Sequence, residues 1–296
     1  STPQKNAVGR RVESEYNQWL AGVKQNVLDN VETQNHELER DQELAKEFQL
    51  AYLNRPYPAI PPLPTPGRLK LQFTHYYEPA LALGGDFFEI LTLTPDTAGI
   101  FIADVMGHGT RSALITSSLR SLLHDLIPQG RNARNLIAEI NKNFYGLLKS
   151  IRLKNPLFAS AFYFVADVTA RAATYSTAGH PAPFHLHRAT NTLRRLEVPS
   201  PHGAALGINH KEEYTGGGCR ITDGDVFIFF TDGIYEAFNA SGQEFGINTL
   251  EKVIRNHMHN SVEDITKAIA TAVKDFTEGE VLQDDLCVVA VEVLEG

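Results

Sequence analysis

Short apolar segments that each meet an aspartate constrain the fold of this chain more than any other feature. Residues 100–103 form an apolar run long enough for a buried strand, and Asp104 follows it directly. A glycine-containing turn comes next, and apolar residues then recur at helical spacing over 110–126. A carboxylate is therefore predicted where a core strand ends and a helix begins. Such an aspartate either presents its oxygens to a ligand or only ends the strand and caps the helix.

The pattern recurs, which favours ligand binding. The apolar run 226–230 leads to Asp232, Asp86 precedes another run, and the pair Asp284 and Asp285 opens a further one. Carboxylates that converge on one edge of a sheet repel one another unless cations neutralise them. Because these candidate ligands are oxygens, with no His or Cys at ligand spacing, magnesium or manganese suits them better than zinc.

Composition narrows the class of protein. The chain has 296 residues, of which 43% are apolar and 21% charged, as in a soluble domain with an accessory segment. A net charge of -8 without a basic stripe argues against nucleic-acid binding. Two cysteines and no signal peptide predict a reducing, cytoplasmic location, and no apolar stretch is long enough for a membrane span. Because the first residue is not Met, we expect a fragment of a longer protein.

The sequence pattern of the N-terminal segment predicts one long helix or two consecutive helices over 8–53. Proline is absent from this segment, and apolar residues recur at threes and fours against a charged face. A narrow apolar stripe needs a partner, either a second copy of the chain or the body of this protein. Val23, Val27 and Val31 depart from a strict heptad, so a parallel dimeric coiled coil is only somewhat favoured over a docked helix.

A connector with six prolines follows at 55–67 and predicts the main domain boundary. We expect three parts: a helical regulatory segment at 1–54, the connector at 55–67 and a compact domain at 68–296. A less favoured interpretation is a proline-rich ligand for another protein's groove.

The compact domain has the pattern of an α+β fold with largely antiparallel pairing. Its glycine run 216–218 is predicted to be a loop, and it lacks the Lys-Ser or Lys-Thr of a nucleotide P-loop. The apolar patterns predict strands at 69–77, 87–93, 100–103, 158–168, 172–178, 183–187, 225–230 and 286–293, and helices at 110–126, 133–149, 249–257 and 262–276.

Five motifs in order carry a resemblance to a known family. They are Gly-Gly-Asp-Phe-Phe at 84–88, Asp-Val-Met-Gly-His-Gly at 104–109, Ala-Gly-His-Pro at 178–181, Thr-Asp-Gly at 231–233 and Asp-Asp at 284–285. Together they resemble the PPM metal-dependent serine/threonine protein phosphatases, and more narrowly their bacterial SpoIIE/RsbU-like branch. The resemblance extends from about Leu38 to the C-terminus.

This resemblance implies two packed antiparallel sheets flanked by helices, with two Mn²⁺ or Mg²⁺ ions at one edge. The implied metal ligands are Asp86, Asp104, the main-chain carbonyl of Val105, Asp232 and Asp284, with Asp285 ranked below them. Asp104 is expected to bridge both ions. Glu89 stands where many members carry a second aspartate, and we assign it no metal bond.

The implied reaction is hydrolysis of a phosphoserine or phosphothreonine by a metal-activated water, so no protein nucleophile is needed. His108 and His180 are interpreted as turn residues rather than acids. The implied substrate is a phosphorylated STAS-domain protein, an anti-sigma-factor antagonist, and the implied control is a signal from an upstream sensor or receiver domain through the N-terminal helix. The alternatives are a non-catalytic scaffold that binds a signalling partner and a structural divalent-cation domain.

Overall fold

The computed structural model describes residues 2–63, 65–107, 109–151, 156–199 and 203–296, with side chains from residue 18 onward. Its main elements are α1 (Thr2–Leu53), β1 (Leu69–Glu78), β2 (Asp86–Thr94), β3 (Thr97–Val105), α2 (Thr110–Leu126), α3 (Ala133–Ile151), β4 (Ala159–Asp167), β5 (Ala172–Ala178), β6 (Phe184–His187), β7 (Thr192–Arg195), β8 (Gly216–Arg220), β9 (Asp225–Phe230), α4 (Ile247–Asn256), α5 (Val262–Thr277) and β10 (Leu286–Glu295).

Two antiparallel sheets form the centre of the fold. The first has the strand order β1-β10-β9-β6-β7, and the second has the order β2-β3-β4-β5-β8. Phe88, Phe164 and Phe229 belong to the apolar layer between the sheets, where the rings of Phe164 and Phe229 are 5.4 Å apart. Both inner faces are apolar because side chains alternate along each strand.

Helices cover the outer faces of both sheets. Leu119 on α2 and Phe144 on α3 are buried against the second sheet, and Ile254 on α4 and Ile269 on α5 are buried against the first. Burying an apolar side chain of this size contributes about 1.5–3 kcal/mol. The predicted sandwich of two antiparallel sheets flanked by helices, preceded by a long N-terminal helix, is confirmed.

The chain divides into two compact units, residues 1–48 and residues 49–296. The first unit is part of α1, and its apolar residues Val27, Val31, Leu38 and Leu44 are exposed. In the second unit, Leu53 and Ile60 are buried in the layer between the sheets. The three-part division at 1–54, 55–67 and 68–296 and the coiled-coil pairing of α1 stay predictions. Within the described ranges, no helix combines the length and apolarity that a membrane span requires.

The glycine run 216–218 is a strand, so its prediction as a loop was wrong. It begins β8, which pairs with β5 and places Gly217 opposite Tyr175. A Cβ on Gly217 would lie 2.4 Å from the Tyr175 ring. Glycine is needed here because the aromatic ring lies directly on the backbone, which is a packing reason for glycine in a strand. The short edge strand β7 was also missed, because its sequence is mostly polar.

Candidate metal centre

Antiparallel pairing brings the first two candidate ligands together. Asp86 is the first residue of β2, Asp104 is the penultimate residue of β3, and the two are register partners. Directly opposed residues in an antiparallel pair have Cβ atoms about 4.5–5.5 Å apart. The two carboxylates therefore lie at the same end of the second sheet.

A hydrogen bond joins this pair to the end of β9 in the first sheet. The Thr231 hydroxyl donates to Asp86 Oδ2 at 2.6 Å, and both residues are buried. Asp232 follows immediately and begins a short 3-10 turn, Asp232–Ile234. Asp284 lies on the exposed side, just before β10. The candidate ligands of both sheets thus face the same edge of the sandwich.

The double glycine before Asp86 permits close approach of the surrounding groups. A Cβ on Gly85 would lie 2.6 Å from the carbonyl oxygen of Val105, and a Cβ on Gly84 would lie 2.1 Å from Asp285 Oδ2. Both distances are too short for any side chain. The backbone N–H of Val105 also donates to the Gly85 carbonyl at 3.2 Å. The Val105 carbonyl, which the resemblance names as a ligand, therefore packs against the loop that leads to Asp86.

Burial and mutual repulsion disfavour the ionised forms of Asp86, Asp104 and Asp232. The pKa of Asp104 rises to about 8, because the side chain is buried and because Asp232, Asp284 and Asp285 are close. The pKa of Asp232 rises to about 6 through burial and its acidic neighbours. Burial and the charge of Asp104 also raise the pKa of fully buried Asp86. A divalent cation reverses this effect, since it stabilises the charged carboxylates.

Two buried oxygens of this cluster lack a hydrogen-bond donor. They are Asp86 Oδ1 and Asp232 Oδ1. An unsatisfied buried oxygen is costly unless something else binds it. Hard divalent cations prefer oxygen ligands, so the donor set fits Mg²⁺ or Mn²⁺.

Asp285 differs from the other carboxylates in its bonding. Its Oδ1 accepts from the backbone N–H of Ala80 at 2.9 Å, and its Oδ2 accepts from the N–H of Asp86 at 3.2 Å. Both oxygens are therefore used to fix the chain before and at the start of β2. The acidic pair combines an exposed carboxylate, Asp284, with a buried one that holds a loop.

Two further residues named from the sequence, Glu89 and His180, have other partners. Glu89 is an odd number of positions from Asp86, so it points to the opposite face of β2 and contacts Arg120 Nε on α2 at 3.1 Å. His180 is buried in a turn, where its backbone N–H donates to Thr177 Oγ1 at 3.1 Å. Burial lowers the pKa of His180 to about 3, which keeps it neutral. His108 lies outside the described residues.

Sequence reasoning missed Glu236, which lies beside the cluster. Its charge contributes to the raised pKa of Asp232, and it lines a cavity of about 200 Å³ together with Asp284, Phe238 and Val281. The signal that points to Glu236 is its spacing of four from Asp232, equal to one helical turn.

Sequence reasoning also missed a second cluster, His185, His187 and Asp225. It is the one group of three or more His, Cys, Asp or Glu in the described ranges whose ligand atoms all lie within 4.8 Å of one another. The signal is a His-x-His pair on strand β6, because alternate strand residues share a face. The expectation that no histidine stands at ligand spacing was therefore wrong for this part of the chain.

The fold and the acidic edge together define a class, the two-sheet sandwich with a carboxylate centre between the sheets. Residues 94–294 match the family described as Stage II sporulation protein E (SpoIIE), and the chain belongs to this family. The resemblance to the SpoIIE/RsbU-like branch is confirmed.

Individual relatives agree with this assignment. The chain is 26% identical over 254 residues to phosphoserine phosphatase RsbP of Bacillus subtilis. The aligned region covers 86% of this chain and 58% of the relative. It spans about half the length of the curated relatives it matches.

Solved structures of other proteins share the fold, and two serve as examples. One contains the PP2C phosphatase domain and a regulatory fragment of Bacillus subtilis SpoIIE, with a TM-score of 0.65, 18% identity and coverage of 78% of this chain and 66% of the other. The other is the catalytic domain of serine/threonine phosphatase PstP with two manganese ions, with a TM-score of 0.56, 13% identity and coverage of 76% and 99%.

Proposed function

We propose that this chain is a metal-dependent protein serine/threonine phosphatase. The observation that carries the proposal is the convergence of Asp86, Asp104, Asp232 and Asp284 at one edge. The pKa values of the first three are raised, and two buried oxygens of this group lack a hydrogen-bond donor. A centre of this kind is unfavourable without cations and fits them when they are present. Family membership supports the same function.

The residues divide into ligands and positioning groups. Asp86, Asp104, Asp232, Asp284 and the Val105 carbonyl would hold two Mn²⁺ or Mg²⁺ ions, with Asp104 shared between them. When bound, such ions polarise phosphoryl oxygens and lower the pKa of water. The protein keeps these ligands in place through the Thr231–Asp86 hydrogen bond and through Asp285, which fixes the chain before Asp86. Two ions suit these carboxylates better than one, because the carboxylates are spread out. Among the described residues, no three of them have ligand atoms that all lie within 4.8 Å of one another.

The proposed substrate is a phosphoserine or phosphothreonine on a partner protein, of the STAS-domain class that the family resemblance implies. The rim supports a protein substrate, because the adjoining cavity is only about 200 Å³ and exposed Phe238 and Val281 lie beside Asp284. A small open site accepts a phosphorylated side chain while the exposed apolar groups contact the chain that carries it. The two free cysteines fit a reducing compartment such as the cytoplasm.

Control through the N-terminal helix is the second part of the proposal. Gln49, in the last part of α1, donates from Nε2 to the Gly84 carbonyl at 3.1 Å and accepts from the Gly84 N–H at 3.2 Å. The Tyr52 ring lies 3.6 Å from the Arg120 guanidinium on α2. A signal from an upstream domain that changes the pairing of α1, as in a homodimer, would therefore act on the loop before Asp86 and on α2.

The test is hydrolysis of p-nitrophenyl phosphate and of a phosphoserine peptide by the full chain with and without Mn²⁺. We expect manganese-dependent turnover that Asp232→Asn lowers by about a thousandfold or more, because an ion loses a charged ligand. Asp275→Asn is the matched control, since Asp275 is an exposed aspartate on α5.

Metal-independent turnover, or equal turnover in the Asp232→Asn variant, would overturn the proposal. Manganese binding by calorimetry without any turnover would favour a non-catalytic scaffold. Circular dichroism of each variant separates a lost ligand from a lost fold.

A further inference from the structure

The His185, His187 and Asp225 cluster lies at the end of β9 opposite the carboxylate centre. Asp225 is the first residue of β9, and Asp232 comes just after its last residue. At about 3.3 Å per residue, the seven intervening steps separate the two sites by about 23 Å. The cluster therefore shares no ligand with the carboxylate centre and requires its own explanation.

We propose that this cluster is a binding site for a zinc-type divalent cation. Two strands bring the ligands together, because His185 and His187 lie on the same face of β6 and His187 is the register partner of Asp225 on β9. Imidazole nitrogen and carboxylate oxygen are the ligand types that zinc takes in sites with three protein ligands.

The spacing of the ligand atoms agrees with this assignment. His185 Nε2 lies 3.4 Å from Asp225 Oδ1. Two ligands about 2.0–2.2 Å from one ion, at a tetrahedral angle, are about 3.3–3.6 Å apart. His187 Nδ1 contacts the same Oδ1 more closely, so binding requires a small outward shift of His187, whose side chain is 31% exposed.

A buried nitrogen that lacks a well-aligned hydrogen bond is a further observation. His185 Nε2 makes no well-aligned hydrogen bond, although the His185 side chain is only 3% exposed, and Asp225 Oδ1 at 3.4 Å is the polar atom that faces it. The ring is fixed by stacking on Phe227, with centroids 4.3 Å apart. Asp225 is fixed as well, because its Oδ2 accepts from the Thr222 N–H at 2.8 Å. Two of the three ligands are therefore held in place before an ion binds, which favours binding.

Access is open from one side. The cluster faces a cavity of about 620 Å³, whose lining also includes Thr192, Cys219 and Arg220. This cavity gives an ion a path to the three protein ligands and leaves room for water as the fourth.

Arg194 controls the site. Its Nε and Nη2 donate to His185 Nδ1 at 3.2 and 3.1 Å. A neutral histidine that ligates through Nε2 carries its proton on Nδ1, where a guanidinium cannot donate. Metal binding therefore requires the exposed Arg194 side chain to leave His185, so removing Arg194 is expected to strengthen binding.

The experiment is titration of the chelator-treated full chain with Co²⁺, which substitutes for Zn²⁺ and absorbs strongly when four-coordinate. We expect one equivalent with this absorption, competed by Zn²⁺. We expect His187→Gln to weaken binding at least about tenfold, and Arg194→Ala to strengthen it several-fold. Two controls, His210→Gln at an exposed histidine and Asp232→Asn at the other centre, are expected to keep the absorption.

Thermal unfolding gives a second readout. Zn²⁺ is expected to raise the Tm of the unaltered chain and of Asp232→Asn, but not that of His187→Gln, because a ligand stabilises only a fold that binds it. Absence of the four-coordinate absorption, or equal Co²⁺ affinity in folded His187→Gln, would overturn the assignment. Binding that Arg194→Ala weakens would overturn the role given to Arg194.

Discussion

The two ends of β9 carry the same residue type in opposite electrostatic surroundings. Burial opposes ionisation of Asp225, yet the contacts with His185 and His187 and the hydrogen bond from the Thr222 N–H lower its pKa. At the other end, burial and nearby carboxylates raise the pKa of Asp232 to about 6. One strand therefore joins a charge-balanced cluster to a cluster of like charges.

The comparison shows what each end needs in order to be stable. Asp225 is satisfied by protein groups, so a cation there is an addition to an arrangement that is already favourable. Asp104 and Asp232 face other carboxylates, so their ionised forms need cations from outside the chain. The carboxylate centre thus lowers the stability of the metal-free chain, and the proposed metal ions would remove that cost.

The largest expected effect on stability comes from breaking the balanced end. Asp225→Asn removes the charge that His185 and His187 contact and weakens the acceptor for Thr222. We expect a loss of about 2–3 kcal/mol in the free energy of unfolding, because buried partners lose their acceptor. Urea unfolding measures it, with Asp223→Asn as a neighbouring exposed control. If Asp225→Asn lowered the free energy of unfolding by less than Asp223→Asn does, Asp225 would not be the stabilising acceptor that we infer.

The opposite change is expected at the carboxylate centre. Asp104→Asn removes one of the like charges, so the metal-free chain should gain about 1–2 kcal/mol in the free energy of unfolding. The same variant should lose most of the stabilisation that Mn²⁺ gives the unaltered chain. Urea unfolding with EDTA and with Mn²⁺ measures both effects. Asp275→Asn, at an exposed aspartate on α5 outside the carboxylate cluster, should change neither by more than about 0.5 kcal/mol.

A smaller effect is expected from pH. The folded pKa values of Asp104 and Asp232, about 8 and about 6, exceed the unfolded value of about 3.9. Between these values the folded state binds more protons, so the free energy of unfolding of the metal-free chain should fall as pH rises from about 4 to 8, by about 1 kcal/mol or more. Saturating Mn²⁺ should remove the fall, and Asp104→Asn should reduce it. A metal-free chain that gains stability over this range would contradict the sign.

The smallest effect concerns the link from α1 to the carboxylate centre. Gln49→Ala removes the two hydrogen bonds to Gly84 without touching a carboxylate. We expect Mn²⁺ affinity to fall a few-fold, because the loop before Asp86 loses a support worth about 1 kcal/mol. Gln25→Ala, at an exposed glutamine on the same helix, is the control. Calorimetric titration with Mn²⁺ would show equal affinities if the link has no role.

Much of the fold followed from local pattern. Alternation along the strands and helical spacing of apolar residues placed most elements within a few residues of their observed bounds, as for α5 at Val262–Thr277. The prediction of a loop at 216–218 was wrong because this strand depends on packing against Tyr175 from a neighbouring strand. Local propensity contains no information about that ring.

The sequence alone determined which residues stand at strand ends, because strand length and the position of each aspartate are local properties. It thereby identified Asp86, Asp104, Asp232 and Asp284 as candidates. Only the tertiary structure decided which side chains meet. It turned Glu89 toward Arg120, used both oxygens of Asp285 for backbone N–H groups, and joined His185 and His187 to Asp225. The physical reason is that contacts between distant segments depend on strand register and sheet packing, which no local pattern specifies.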